Sequence, residues 1–431
     1  VASSRAAVHR HAETSGSGHP ACNEQPNEER RPAGDLSRRA LAAAETQARW
    51  LESYGDSSWD TYDFWANDWG RRAKRVYYIH KSLGTPLVAP FALLDWLAPR
   101  SRAFFWHRQR FPIADAHYAM GFCHLAAADS SGRWLARAVH SLEALVESRC
   151  PGETEYCWGY PFDWETCFGT WRTGTPLITS TPYGYEAFAL AHELTGAPEC
   201  LAIMASVARF ADARIGSTVI SPGVVASTYT PNDRRRVVNA SAYRGFLLAA
   251  AGRQFTREDW LAKARTFLAF VLQSQHDDGS WYYAMDGRDA FIDNFHTCFV
   301  LKNLYKSWVI LDDDVLLSAV RRGYDFYKAS LLDQHMLPLP FAKTQRLSLL
   351  RRDLYDYAEG LNLALLLRDI DTDARTILRA ILDDLLTRWQ LSDGHFVSRE
   401  LIGRRSAIPY HRWAQAQTFR SLTLVATQGI D

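Results

Sequence analysis

Read as apolar and polar positions, the chain changes character at Asp35. Residues 1–34 carry Ser, Glu, His, Pro and Arg without periodicity, which predicts a disordered or loosely attached arm. From Asp35 onward apolar residues recur at helical spacing. They predict a first helix to Tyr54, a second from Trp59 to about Ser82 behind Ser58 as its cap, and a third apolar segment from Leu87 to Leu97. Beyond a basic linker around Arg100 to Arg110 the pattern repeats. Apolar helices open near Ile113, Pro182, Asn239, Asp293, Leu354 and Tyr410, in steps of 54 to 69 residues. The first five are each followed by a polar break and an amphipathic helix, over 132–148, 198–215, 256–275, 312–332 and 371–389. Tight turns then close the units, most clearly at Asp278-Gly-Ser-Trp-Tyr-Tyr283 and Asp393-Gly-His-Phe-Val397.

Two helices per unit and a period in the fifties predict stacked helical hairpins. Six units close into an all-α (α/α)6 toroid, with first helices inside, second helices outside and short β-hairpins at one mouth. Inner helices must then be apolar nearly all round, as Ala187-Phe-Ala-Leu-Ala191 and Phe299-Val-Leu301 are. The N-terminal helices are expected to complete the outer ring beside the last inner helix. Residues 35–431 thus read as one toroid domain.

Charge and cysteine content narrow the function. With 49 Lys and Arg against 48 Asp and Glu, the chain lacks the cationic surplus that sequence-independent nucleic-acid binding needs. No apolar run reaches the roughly 18 residues of a membrane helix, since Leu87 to Leu97 is broken by Pro90 and Asp95. Seven cysteines without a CxxC imply neither a disulfide framework nor a metal site, although Cys150 and Cys157 are close enough to pair. No cofactor is called for. The absence of a secretory apolar stretch makes a cytoplasmic setting the expectation, and a periplasmic or extracellular one if the chain is a processed form. Oligomeric state is left open.

The aromatic residues, 13% of the chain, cluster in polar-flanked loops that the toroid would gather at one mouth. Flat rings beside amides and carboxylates suit a sugar polymer. In Tyr156-Cys-Trp-Gly-Tyr-Pro-Phe-Asp-Trp-Glu165, partial desolvation of Asp163 is expected to raise its pKa toward general-acid duty. Trp158, Tyr160 and Trp164 beside it read as stacking platforms or as a local aromatic core. Tyr183 and Tyr185 follow at the next helix start. In the second cluster, Trp281 and Tyr283 precede Asp293, Asn294 and His296, with Asp293 and His296 on one helical face. Asp293 reads equally as an N-cap. On the fifth inner helix Tyr355 and Glu359 share a face, and Tyr357 lies between them; Asn239 and Tyr243 repeat that spacing on the third. Arg412 suits a substrate carboxylate, although an ion pair is the commoner fate of an Arg; Trp413 adjoins it.

The segments Cys157-Trp-Gly-Tyr-Pro-Phe-Asp-Trp164, Gly174-Thr-Pro, Thr181-Pro, Asp278-Gly-Ser-Trp-Tyr-Tyr283 and Ile292-Asp-Asn-Phe-His-Thr297 resemble the VpsJ-type exopolysaccharide biosynthesis proteins, which belong with the six-hairpin (α/α)6 glycosidase-like superfamily. The resemblance spans about residues 110 to 420 and implies a polysaccharide-active toroid. The leading expectation is glycosidic hydrolysis, with Asp163 as acid and Asp293 or Glu359 as partner carboxylate. His296 and Tyr185 complete the candidate catalytic set. Trp158, Tyr160, Trp164, Tyr183, Asn239, Tyr243, Trp281, Tyr283, Asn294, Tyr357, Arg412 and Trp413 are the candidate substrate contacts. The same fold also accommodates a uronate lyase or glucuronyl C5-epimerase using a Tyr or His base, or a non-catalytic glycan-binding scaffold. A terpene-cyclase reading would need Asp371 and Asp373 to face an apolar central cavity.

Overall fold

The structure, a computed structural model, describes residues 34–344 and 348–428; the arm expected at 1–34 lies outside them except for Gly34. Four helices precede the repeat: α1 (Asp35–Tyr54), α2 (Asp63–Ala66), α3 (Asp68–Ile79) and α4 (Lys81–Leu97). Inner and outer helices then alternate. The first three pairs are α5 (Pro112–Ala128) with α6 (Arg133–Glu147), α7 (Thr181–Thr195) with α8 (Pro198–Ala213), and α9 (Val238–Gln254) with α10 (Glu258–Gln273). Two more are α11 (Asn294–Leu311) with α12 (Asp314–Ser330), and α13 (Leu354–Leu367) with α14 (Ala374–Asp384). The last inner helix is α15 (Ala416–Gln428). Each inner helix contacts the next, and α15 packs against α5, so the ring is closed. The fold is an (α/α)6 toroid.

Burial follows the two hydrophobic patterns. Every residue of α9 from Val238 to Ala249 is buried, and every residue of α13 from Leu354 to Leu365. Outer α14 buries only Ala374, Ile377, Leu378, Ile381 and Leu382, a single stripe at helical spacing. Short strand pairs cover the mouth where the inner helices begin. They are β1 (Trp164–Thr166) with β2 (Gly169–Trp171), β3 (Ser217–Ser221) with β4 (Val224–Ser227), and β5 (Ile292–Asp293) with β6 (Phe341–Lys343). The last is a three-stranded sheet of β7 (Leu350–Asp353), β8 (Arg399–Leu401) and β9 (Arg404–Ser406).

The Asp-Gly turns explain how successive units join. Gln275 Nε2 donates to the Gly279 carbonyl and to the Ala319 carbonyl of α12, both at 3.0 Å. Gln390 Nε2 repeats this with Gly394 at 3.5 Å and Ala43 of α1 at 3.1 Å. Both glycines have positive φ, and each abuts the backbone of the next outer helix. A Cβ would lie 2.3 Å from the Arg322 carbonyl oxygen at Gly279, and 2.5 Å from that of Thr46 at Gly394. Helix α1 therefore stands where a sixth outer helix belongs.

Several expectations are corrected. The helix expected from Trp59 to Ser82 breaks at Asn67, whose side chain accepts the Gly70 N–H at 2.9 Å and starts α3 afresh. The apolar segment at Leu87 is the middle of α4, which begins at Lys81 and carries Pro86 and Pro90 inside it. Cys150 and Cys157 are free thiols; a backbone hydrogen bond of 2.9 Å, not a disulfide, links their segments. Asp371 and Asp373 both bind Lys328 Nζ, at 2.8 and 2.9 Å, at the start of an outer helix. The acidic run neutralises a surface lysine, and the terpene-cyclase reading falls.

Substituting Gly394 by Ala combines left-handed strain with a clash against fixed backbone, and is expected to destabilise the protein by about 3 kcal/mol or more in urea unfolding. Gly403→Ala has the strain alone, since nothing lies within 4 Å of its Cβ position, and is expected to cost about 1 kcal/mol. Equal losses would mean that the turn does not dock on α1.

Candidate active site at the mouth of the toroid

A cavity of about 240 Å³ opens where the inner helices begin. Its walls are aromatic: Tyr160 and Trp164 come from the loop after α6, Tyr283 from the turn after α10, Tyr355 from α13 and Trp413 from the turn before α15. Tyr183 and Tyr243 form the floor, their hydroxyls hydrogen-bonded across it. The rings of Tyr355 and Trp413 are parallel, with centroids 6.0 Å apart.

The principal titratable group on this wall is His296. Asp293 caps α11 by accepting the His296 N–H at 3.2 Å, and the same carboxylate holds the imidazole Nδ1 at 2.7 and 2.9 Å. The ring is further fixed by Phe295 and Tyr283, with centroids at 4.3 and 4.6 Å. With Nδ1 engaged, Nε2 is the nitrogen left for a ligand. Nearby, Asn239 lines the cavity with its Oδ1 buried and without a protein donor. Such an acceptor is costly to leave unmet and suits a substrate hydroxyl.

Of the residues singled out from sequence, Tyr160, Trp164, Tyr183, Asn239, Tyr243, Tyr283, His296 and Trp413 converge on this cavity. Asp293 stands directly behind His296. The rest are elsewhere. Trp158 and Trp281 are buried, each donating its indole N–H to an outer-helix carbonyl, Leu145 at 2.8 Å and Val271 at 2.9 Å. Both fill the gap between helices opposite a glycine, Gly184 or Gly323, and present no face to the cavity. Asn294 Nδ2 donates to the Leu331 and Leu339 carbonyls and pins that turn. Tyr357 faces outward because it is two residues, about 200° of helix, from Tyr355; its hydroxyl binds Asp384 at 2.8 Å. Arg412 makes a two-pronged ion pair with buried Asp60, both contacts 2.6 Å.

Asp163, the expected acid, and Glu359, the alternative to Asp293 as its partner carboxylate, are also engaged away from the cavity. Asp163 accepts from Arg172 at 2.8 Å and from the Thr173 N–H at 2.9 Å. Partial burial pushes its pKa up, but these bonds outweigh burial and hold the carboxyl below its ordinary value, opposite to the expected shift. Glu359 is buried against Lys302 beneath the floor tyrosines. Tyr185 lines a second cavity, about 340 Å³, at the far end of the toroid.

Sequence reading missed Arg235, Phe295, Trp171 and Tyr229, which also line the mouth cavity. Tyr229 ends a segment equivalent to the Asp-Gly turns, so the repeat could have found it. Arg235 sits in a run of three arginines and carries no local signal. It is bound by Asp286 at 3.0 Å and by Asp289.

Electrostatics separates the possible bases. Burial pushes the phenols of Tyr160, Tyr183, Tyr243, Tyr283 and Tyr355 well above their ordinary value. They stay neutral, because their ionised forms are disfavoured. Five long inner helices also direct their N-termini at this mouth, which favours an anionic group in it.

Neither a protein-family model nor a curated protein matches the chain. Solved structures do match, as (α/α)6 toroids. The unsaturated glucuronyl hydrolase of Bacillus sp. GL1, responsible for glycosaminoglycan degradation, aligns with TM-score 0.60 at 11% identity, covering 91% of this chain and 98% of that one. Cellobiose 2-epimerase from Spirochaeta thermophila aligns with TM-score 0.56 at 14% identity, covering 75% and 86%. A family 76 α-mannanase of Bacteroides thetaiotaomicron aligns with TM-score 0.54 at 9% identity, covering 74% and 86%. At these identities the likeness is one of fold.

Because the wall phenols have folded-state values above the unfolded value of about 10, the stability they contribute is present below that pH and is lost as pH rises beyond it. Alkaline titration followed by tyrosinate absorbance is expected to show a fraction of phenols that ionise only together with unfolding. Full reversible titration of every tyrosine near pH 10, with the fold intact, would contradict the buried wall.

Proposed function

We propose that the protein is a carbohydrate-active enzyme that moves a proton on a sugar ring, in the manner of an epimerase, isomerase or lyase, with His296 Nε2 as the base. The observation that carries this reading is the Asp293–His296 pair, oriented and exposed to an aromatic cavity. His296 removes a proton from a carbon beside a carboxylate or carbonyl. The carbanion then takes a proton back on carbon or, in elimination, expels the neighbouring glycosidic oxygen, which takes its proton from the imidazolium. Asp293 stabilises the imidazolium that results, and the neutral wall phenols donate to the oxygen on which charge builds. Trp413, Tyr355 and Trp164 supply faces for the ring, and Asn239 Oδ1 accepts from a hydroxyl.

The volume, below the roughly 300 Å³ at which drug-sized pockets begin, suits one or two sugar rings at a chain end. The converging helix N-termini favour a uronate. The resemblance to exopolysaccharide biosynthesis proteins supports a bacterial exopolysaccharide or its fragments as the source. Glycosidic hydrolysis is the second reading. It is favoured by Asp289, a carboxylate on the cavity wall, and by the 91% of this chain that aligns with a glucuronyl hydrolase.

The test is incubation with uronate-containing and neutral oligosaccharides in D2O. One deuteron gained without cleavage marks epimerisation or isomerisation, unsaturated-uronate absorbance marks elimination, and new reducing ends alone mark hydrolysis. His296→Gln is expected to lower the rate by about 100-fold or more. Asp163→Asn leaves it unchanged, and Trp413→Ala raises KM more than it lowers kcat. Full activity in His296→Gln, or loss in Asp163→Asn, would overturn the assignment of the base.

A further inference from the structure

Helix α4 is turned inside out relative to the other helices. Leu83, Pro86, Leu87, Pro90, Leu93 and Leu97 follow one another at helical spacing, and all are exposed. Leu83 is 64% exposed and Leu97 60%. The opposite side of α4 is occupied: Gly84 lies against the Tyr77 backbone, and Phe91 packs between Trp65 and Phe105. Trp69 on α3, 73% exposed, and Phe104 after α4, 90% exposed, are further exposed apolar side chains of the same segment. A contiguous apolar face of this kind on a folded protein marks an interaction site.

The charge around it identifies what it meets. Residues 68–110 hold nine Lys and Arg against two Asp, whereas the whole chain carries a net charge of +1. Most of these cations are engaged, Arg71 with Asp68, Arg75 with Glu165, and Arg102 with Asp63 and Asp95. Arg72, Lys81 and Arg100 are exposed and have no ion pair among the described residues. Lys81 opens α4, and Arg100 lies three residues beyond its end, so free cations bracket the apolar stripe.

We propose that the exposed face of α4 docks on an anionic lipid surface, with the leucines in the outer acyl region and Arg72, Lys81 and Arg100 among the headgroups. An interfacial helix has this composition, apolar on one face and basic at its margins. Pro86 and Pro90 each remove an N–H from the helix, leaving carbonyls that need water; this places α4 at the wet headgroup level, not across the bilayer. No helix among the described residues is long and apolar enough to span one. Two other occupants fit less well. A second copy would bring two basic surfaces together. Residues 1–33 contain no Leu, Ile, Phe, Trp, Tyr or Met with which to cover the stripe. Because Tyr78 of α3 lines the mouth cavity, docking here would set that mouth beside the membrane. The inference does not depend on what the cavity binds.

The test is sedimentation of the full chain with vesicles of phosphatidylcholine alone or mixed with phosphatidylglycerol. Binding to the anionic vesicles is expected to be on the order of 100-fold stronger and to weaken as salt is raised. Leu83→Ser with Leu87→Ser and Leu93→Ser removes the stripe and is expected to abolish binding. Arg72→Glu with Lys81→Glu and Arg100→Glu leaves the stripe intact and is expected to abolish only the preference for anionic lipid. Both variants keep the wild-type melting temperature and far-ultraviolet circular dichroism. No binding to anionic vesicles, binding unaffected by both variants, or burial of the stripe in a stable dimer or protein complex instead of on vesicles would each overturn the proposal.

Discussion

Everything in this molecule depends on α1 filling the sixth outer position. The inner helices are buried nearly all round, without a break over Val238–Ala249 of α9 and Leu354–Leu365 of α13, so each needs an outer helix behind it. Five of them meet an outer helix contributed by the same hairpin; α15 packs against α1 instead. Gln390 reaching the Ala43 carbonyl, and Gly394 seated on Thr46, join the last turn to α1 as Gln275 and Gly279 join an earlier turn to α12. Around that seam lie further contacts between the chain's two ends. Gln47 donates to the Gln415 carbonyl at 2.8 Å, the His411 N–H to Ser58 at 2.9 Å, and Arg412 pairs with Asp60. Losing one partner of that buried pair would leave an uncompensated charge, at a cost of about 3–5 kcal/mol. The seam makes a ring of what would otherwise be an open stack.

Closure also gives the toroid a polarity. Five long inner helices present their N-termini at one mouth, and the C-termini of all six gather at the other. The far cavity is lined by Arg253, in the last turn of α9, and by Lys302, Lys306 and Arg420 from within α11 and α15. Lys306 meets Glu186 at 2.8 Å, and Lys302 meets Glu359. The near cavity has the imidazole, the phenols and the free amide oxygen. The hydrogen-bonded pair Tyr183–Tyr243 separates the two, and each ring lines both cavities.

Much of this was legible in the linear pattern. Inner helices expected near Ile113, Pro182, Asn239, Asp293 and Leu354 begin at Pro112, Thr181, Val238, Asn294 and Leu354. Outer helices agree within three residues, except that α14 ends at Asp384 and a π-helical turn carries the chain on to Trp389; closure by the N-terminal helices was expected from the count of units. The Asp-Gly turns marked which loops reach the mouth. Periodicity reports such features well because helix packing repeats with the chain, and Asp293 followed by His296 is a local cap whose geometry the spacing already contains.

What a side chain does at the mouth was decided by rotation and depth, which only packing sets. Tyr355 and Tyr357 are two residues apart, and one lines the cavity while the other binds an outer helix. Trp158 and Tyr160 differ in the same way, because the indole is drawn toward a helix carbonyl opposite Gly184. Glu359 shares a face with Tyr355 but lies one turn deeper, where Lys302 meets it. Arg412 and Asp163 found partners on α2's approach and on the β1–β2 hairpin, contacts with no trace in local spacing. Sequence by itself determined the repeat, the elements and the loops that share one opening, since these follow from hydrophobic period and turn chemistry. Tertiary structure alone decided which polar groups remain free there, because a charged or hydrogen-bonding side chain is committed by whichever complementary group the closed ring brings within reach.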